Sequence, residues 1–117
     1  GYNNATVYKP SPTLLYVFSA VGQSNYTVNG PGLPSGGSTD PTIILYRGFT
    51  YDFNNTTGAS HPLRIQSTTG TSGTPYTTGV TGSSTAMQSF TVPFDAPTTL
   101  YYQCTIHNDM SGTLEIR

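Results

Sequence analysis

Apolar and polar residues alternate in short bursts along this chain and do not follow a helical period. Leu14 to Ala20 is an apolar run, Tyr26-Thr27-Val28 alternates, and Ile43 to Tyr46 is short and apolar. Phe49, Tyr51 and Phe53 share one parity, with Thr50 and Asp52 on the other; Leu63 and Ile65 alternate with Arg64 and Gln66. Phe90, Val92 and Phe94 share a face, and Leu100, Tyr102 and Cys104 point opposite to Tyr101 and Gln103. Leu114 and Ile116 close the series. Period-two patterning of this kind predicts half-buried strands, whereas every window of about 11 residues is broken for a helix by Gly, Pro or runs of Thr and Ser. About seven or eight strands separated by turn clusters predict an all-β domain, a two-sheet sandwich or a barrel.

Two segments read as long surface excursions: 29–41, rich in Gly, Pro and Ser, and 67–85, almost all Thr, Ser and Gly. Residues 1–12 hold Pro10 and Pro12 and read as a tether or an edge strand. The 117 residues are expected to form one domain, since the chain has material for one core and not for two.

Composition narrows the function. Charged residues make up 8% of the chain, against about 25% in an average soluble domain, and Lys9 is the sole lysine. The formal net charge of −1 gives no basic footprint for nucleic acid. No apolar run approaches the length of a membrane span, so no membrane insertion is expected. A single cysteine, Cys104, excludes an intramolecular disulfide framework.

That cysteine stands in the segment Tyr101-Tyr-Gln-Cys-Thr-Ile-His-Asn-Asp-Met-Ser-Gly-Thr113, where Cys104, His107 and Met110 follow a C-x2-H-x2-M spacing. The other histidine, His61, precedes the Leu63 to Ile65 strand and shares its parity, which turns it toward the core at the strand's end. Two imidazoles, one thiolate and one thioether form a soft set. Calcium and magnesium want oxygen donors, and zinc rarely takes a thioether. A His2Cys set with a weak axial Met is the arrangement of a blue copper site. Taken singly, each residue has a plainer use: a buried small hydrophobe for Cys104, a surface loop residue for His107, a plug for Met110, a core or turn histidine for His61. Taken together, their spacing favours copper. Asp109 between two candidate ligands reads as a solvated loop charge. A Cys104–His107 nucleophile pair lacks a third orienting group, and no hydrolase elbow, HExxH or P-loop occurs, so no enzyme is expected.

The chain resembles the cupredoxins, the small β-sandwich family that holds a type 1 copper. The resemblance rests on Tyr101-Tyr102-Gln103-Cys104, on the loop to Met110 and on the closing Ser111-Gly-Thr-Leu-Glu-Ile-Arg117, with His61 upstream; it covers roughly 43–117. It implies a cupredoxin-like Greek-key β-sandwich, one copper ion, and His61, Cys104, His107 and Met110 as its ligands. The ligand loop is similar to those of amicyanin and pseudoazurin. The family usually follows the first histidine with Asn, whose N–H donates to the cysteine sulfur; Pro62 stands there and has no N–H. Ile106, two residues after Cys104, is expected to supply the remaining donor. Phrases such as Arg47-Gly-Phe-Thr-Tyr-Asp-Phe-Asn and Ser60-His-Pro-Leu-Arg-Ile-Gln66 also resemble cupredoxin-like domains of marine bacteriophage structural proteins.

Two functions follow from the resemblance. One is one-electron transfer through a Cu(I)/Cu(II) site to a redox partner protein that the sequence does not identify, with Ile106, Pro62 and Leu63 as candidates for an apolar docking patch around His107. The other is a structural or recognition module of a virion or surface protein, part of a larger polypeptide, in which copper stabilises the fold or is incidental. Either implies a periplasmic, extracellular or virion-associated location.

Overall fold

The computed structural model describes residues 13–117, so the tether or edge strand expected over residues 1–12 lies outside the described residues. Ten strands follow in chain order: β1 Leu14–Ala20, β2 Tyr26–Asn29, β3 Ser38–Thr39, β4 Ile43–Leu45, β5 Thr50–Asn55, β6 Leu63–Gln66, β7 Val80–Gly82, β8 Met87–Thr91, β9 Thr99–Cys104 and β10 Ser111–Ile116. A single 3-10 turn, Gly58–Ser60, separates β5 from β6. None of the described residues forms a helix long and apolar enough to cross a membrane.

The strands form two sheets, ordered β3-β2-β1-β5-β8-β7 and β4-β10-β9-β6. Strands β1 and β5 run parallel, as do β4 and β10; the remaining pairs are antiparallel. This is a Greek-key β-sandwich. Its core lies between the sheets, where strand alternation delivers Tyr16 and Phe18 from β1, Tyr51 and Phe53 from β5, and Leu100, Tyr102 and Cys104 from β9. Phe18 is the hub, meeting Tyr26, Phe53 and Tyr102 at ring-centroid distances of 5.7, 5.4 and 5.2 Å. Aromatic pairs in tilted or edge-on geometry add about 0.5–1.5 kcal/mol each beyond the area they bury. At Gly112 the β10 backbone lies directly against the Tyr102 ring and leaves no room for a Cβ.

Every segment read as a strand overlaps one, and two more strands, β3 and β7, lie inside the expected loops. Each is two or three residues of Ser, Thr, Val or Gly, too short and polar for a period to show. The 67–85 segment is also less superficial than expected. Ser67 and Thr74 pair, Tyr76 bonds to the Ile65 carbonyl, and Tyr76 and Val80 pack against the core. Phe49 and Phe94, expected on core faces, are 57% and 83% exposed. The ladder begins only at Thr50, leaving Phe49 in the turn closed by its N–H to the Tyr46 carbonyl. β8 ends at Thr91, so Phe94 falls in the next turn and covers Gly48.

Candidate metal centre

Three strands converge at one end of the sandwich. β5 ends at Asn55, the 3-10 turn follows, and His61 caps that turn with φ −141° before the chain enters β6. The His61 carbonyl accepts two hydrogen bonds, from Asn55 Nδ2 at 2.8 Å and from the Tyr26 hydroxyl at 2.8 Å, while the Thr57 hydroxyl 3.1 Å away gives its one proton to Asn55 Oδ1 at 2.6 Å. Asn55 is itself buried, donates also to the Ser84 carbonyl, and accepts from the Thr57 N–H. Burial, and next the neighbouring Cys104, push the Tyr26 phenol well above its ordinary pKa, so it stays a donor. A histidine with its carbonyl so fixed has little freedom beyond its own rotamer.

Cys104 arrives on the last residue of β9, opposite Leu63 of β6 and fully buried. The loop after it is closed at its base: the Cys104 N–H donates to the Met110 carbonyl at 2.9 Å, and the Met110 N–H to the His107 carbonyl at 3.1 Å. The Thr105 N–H donates to the Pro62 carbonyl at 3.0 Å, tying this loop to the residue after His61. His107 is half-buried, Asn108 and Asp109 are exposed, and Met110 is completely buried.

The result is a compact triangle. His61 Nδ1 and His107 Nδ1 are 3.1 Å apart, and Cys104 Sγ lies 3.4 Å from His107 Nδ1 and 3.9 Å from His61 Nδ1. A point equidistant from all three lies about 2 Å from each, close to the bonds transition metals make with imidazole and thiolate. The three donors therefore fit one metal ion; two imidazoles and a thiolate suit copper or zinc, and the thioether residue on the same loop favours copper. Of the four residues singled out in the sequence, His61, Cys104 and His107 bring donor atoms together; Met110 lies buried on their loop, bonded through its backbone to Cys104 and His107.

The expected surroundings need one correction. The side-chain contacts of Cys104 Sγ are with the two ring nitrogens. Thr105 still pairs with Pro62, so the chain stays in the β6–β9 ladder one residue past the cysteine and leaves Ile106 on the outside, 56% exposed. Leu63, a candidate for an apolar rim, is fully buried because it points inward from β6. The sequence reading also missed Asn55, Tyr26 and Gln103. Asn55 continues β5 on its buried parity, which is the one signal that could have singled it out.

The imidazole of His61 is held below its ordinary pKa, first by burial and next by the proximity of His107, with a hydrogen bond to the Gly22 backbone opposing. In the metal-free protein the unfolded chain therefore takes up this proton before the folded one does. The stability contributed is fully present above about pH 6.5, the unperturbed value, and is lost as pH falls below it. Thermal melts of metal-free protein should show a falling melting temperature through that range, and His61→Gln should flatten the slope. Equal slopes in both proteins would assign the acid sensitivity to other groups.

No family model and no curated protein matches the chain. Solved structures do. Rusticyanin from Thiobacillus ferrooxidans superposes with a TM-score of 0.57 at 21% identity, over 90% of this chain and 76% of that one. Reduced rusticyanin gives a TM-score of 0.51 at 21% identity, over 90% and 78%. A further structure, of rusticyanin described as a copper protein, gives 0.50 at 19% identity, over 90% and 76%. The resemblance to bacteriophage structural proteins finds no support in these matches. Rusticyanin is a cupredoxin, and this chain has the cupredoxin fold, with a His–Cys–His cluster at one end of the sandwich that fits one copper ion.

Proposed function

We propose that the chain is a blue copper protein that carries one electron at a time, with His61, Cys104 and His107 as ligands and Met110 as a weak fourth. The carrying observation is the convergence of two Nδ1 atoms and one thiol sulfur within bonding reach of a single point. Bound copper would supply a Cu(I)/Cu(II) couple. The chain's own part is to hold the donors still and dry. Buried Cys104 and Met110 exclude water, the doubly held His61 carbonyl fixes one ring, and the closed 105–110 loop fixes the other. Ligands that are not free to rearrange suit an ion that changes oxidation state without changing partners.

His107 is the more accessible of the two imidazoles, and exposed Ile106 precedes it. This supports electron exchange with a partner protein at that end of the sandwich. The test is to add Cu(II) to metal-free protein and follow both the visible spectrum and the voltammogram. An intense charge-transfer band saturating at one equivalent, with a reversible one-electron wave, is expected. A weak, pale adduct or an irreversible wave would defeat the proposal.

Pro62 sets a further expectation. Hydrogen bonds to a metal-bound thiolate withdraw electron density from sulfur and favour the reduced metal. Proline has no N–H, so position 62 gives the sulfur no amide donor. Pro62→Asn restores a candidate donor and should raise the reduction potential. Voltammetry of both proteins, beside their thermal melts, checks this. A folded Pro62→Asn protein with an unchanged or lowered potential would show that the new amide does not reach the sulfur.

A further inference from the structure

Gln103 stands on the outer face of β9, beside Arg64 of β6, where strand alternation predicts an exposed polar residue; yet it is fully buried. What covers it is the Thr- and Gly-rich segment 67–74. That segment is shaped from below by Gln66, also fully buried, whose Nε2 donates to the Thr68 and Gly70 carbonyls at 2.8 and 2.9 Å and whose Oε1 accepts from Arg64 Nε at 2.8 Å. Gly73 packs so closely on Gln66 that a Cβ there has no space. Gln103 joins this segment to the ligand loop. Its Oε1 accepts the Gly70 N–H at 2.9 Å. Its Nε2 faces the carbonyls of Cys104 at 2.9 Å, His107 at 3.1 Å and Asn108 at 3.1 Å. Two N–H protons meet three acceptors, so one bond is shared, and no polar atom of the side chain is left unpaired. Farther out, Asn108 Oδ1 accepts the Thr71 N–H at 3.1 Å, a second tie between the same two segments.

We propose that Gln103 is a positioning residue that locks the 105–110 loop onto the 67–74 segment and so fixes His107 beside Cys104 before any metal arrives. The proposal rests on the reading of His61, Cys104 and His107 as the metal's donors. The His107 carbonyl is held by both the Gln103 amide and the Met110 N–H, so its backbone is pinned from the outside of the sheet and from within the loop. A buried amide serving only the general fold would contribute to global stability. Here its donor bonds fall on the ligand loop and its acceptor bond on the covering segment, which predicts a local effect.

The experiment compares wild type with Gln103→Met, which keeps length and removes every polar contact, and with Asn108→Ala, an exposed position that severs the outer tie. Amide hydrogen exchange on the metal-free proteins reads the latch directly. In Gln103→Met, exchange over 105–110 should accelerate by about tenfold or more relative to core amides of β1 and β5, with a smaller rise in Asn108→Ala. With Cu(II) loaded, a chelator should strip the metal about 10–100-fold faster from Gln103→Met, the usual cost of losing a group that orients a ligand. The visible charge-transfer band should also shift or broaden.

Loop exchange that rises only in step with core exchange in both variants, or does not rise in either, would overturn the proposal. Failure of Gln103→Met to fold would leave Asn108→Ala to decide: unchanged loop exchange and copper loss there would also overturn it. A wild-type protein that takes up no Cu(II) would overturn the metal reading alone, because the exchange comparison needs no metal.

Discussion

Serine in place of Cys104 is expected to give a folded protein that binds copper poorly and without intense colour. The thiol sulfur is one corner of the donor triangle, 3.4 and 3.9 Å from the two ring nitrogens. A serine hydroxyl is a hard donor that stays protonated at neutral pH, so the remaining soft character of the set is lost, and with it the charge transfer that originates on sulfur. The copper affinity should fall by more than the about 10–100-fold typical of removing a residue that merely supports a ligand. Folding should survive. Cys104 is fully buried, so the new hydroxyl costs about 1–3 kcal/mol if it finds no partner, against a typical stability of about 5–15 kcal/mol. Circular dichroism, a thermal melt and a Cu(II) titration of the variant check all three statements. An unchanged visible band would remove Cys104 from the site, and with it the blue copper reading.

The strands were legible because the sandwich has one wet and one dry face, and burial follows parity: β5 alternates half-buried and buried residues along its whole length. The donor trio was legible for another reason. A chain with one cysteine and two histidines offers few combinations, and the turn between the last two strands must bring Cys104 and His107 close together. Parity also turned His61 inward. What alternation could not show were the polar residues buried on the wrong face. Gln103 and Gln66 occupy outward positions of β9 and β6 and look solvated in the sequence; only the fold of 67–74 over them makes them internal. The same segment was read as a surface excursion because its Thr, Ser and Gly residues carry no apolar period. Its order comes from hydrogen bonds to Gln66, directly before it, and to Gln103, 33 residues beyond Gly70 along the chain, and the second of these is a long-range tie that no local pattern encodes. Phe49 and Phe94 failed in the opposite sense, since parity was carried past the ends of the ladders into turns.

Truncating Phe18 should produce the largest loss of stability of any single change in the core. Its ring is fully buried and touches Tyr26, Phe53 and Tyr102, so it bridges the two sheets at their most aromatic point. Phe18→Ala removes the transfer energy of the ring and leaves a cavity that three rigid aromatic neighbours cannot close, for a cost of about 3–5 kcal/mol. In a domain of this size that corresponds to a fall in melting temperature of about 10 °C or more. Leu14, on the same strand but 38% exposed, is the internal control: Leu14→Ala should cost well under half as much. The damage should also reach the metal end. Tyr26 leans edge-on against Phe18 while its hydroxyl holds the His61 carbonyl, and Tyr102 precedes Cys104 by two residues on β9. A cavity beside both rings loosens the support of two donors at once, so Phe18→Ala should lose copper to a chelator faster than Leu14→Ala does. Bound copper should in turn recover part of the lost stability by mass action, since only the folded chain assembles the donor triangle. Urea denaturation with and without Cu(II) measures both effects. Equal costs for Phe18→Ala and Leu14→Ala would mean that the aromatic cluster is not the main support of this sandwich, and equal rates of copper loss would mean that the site is held without it.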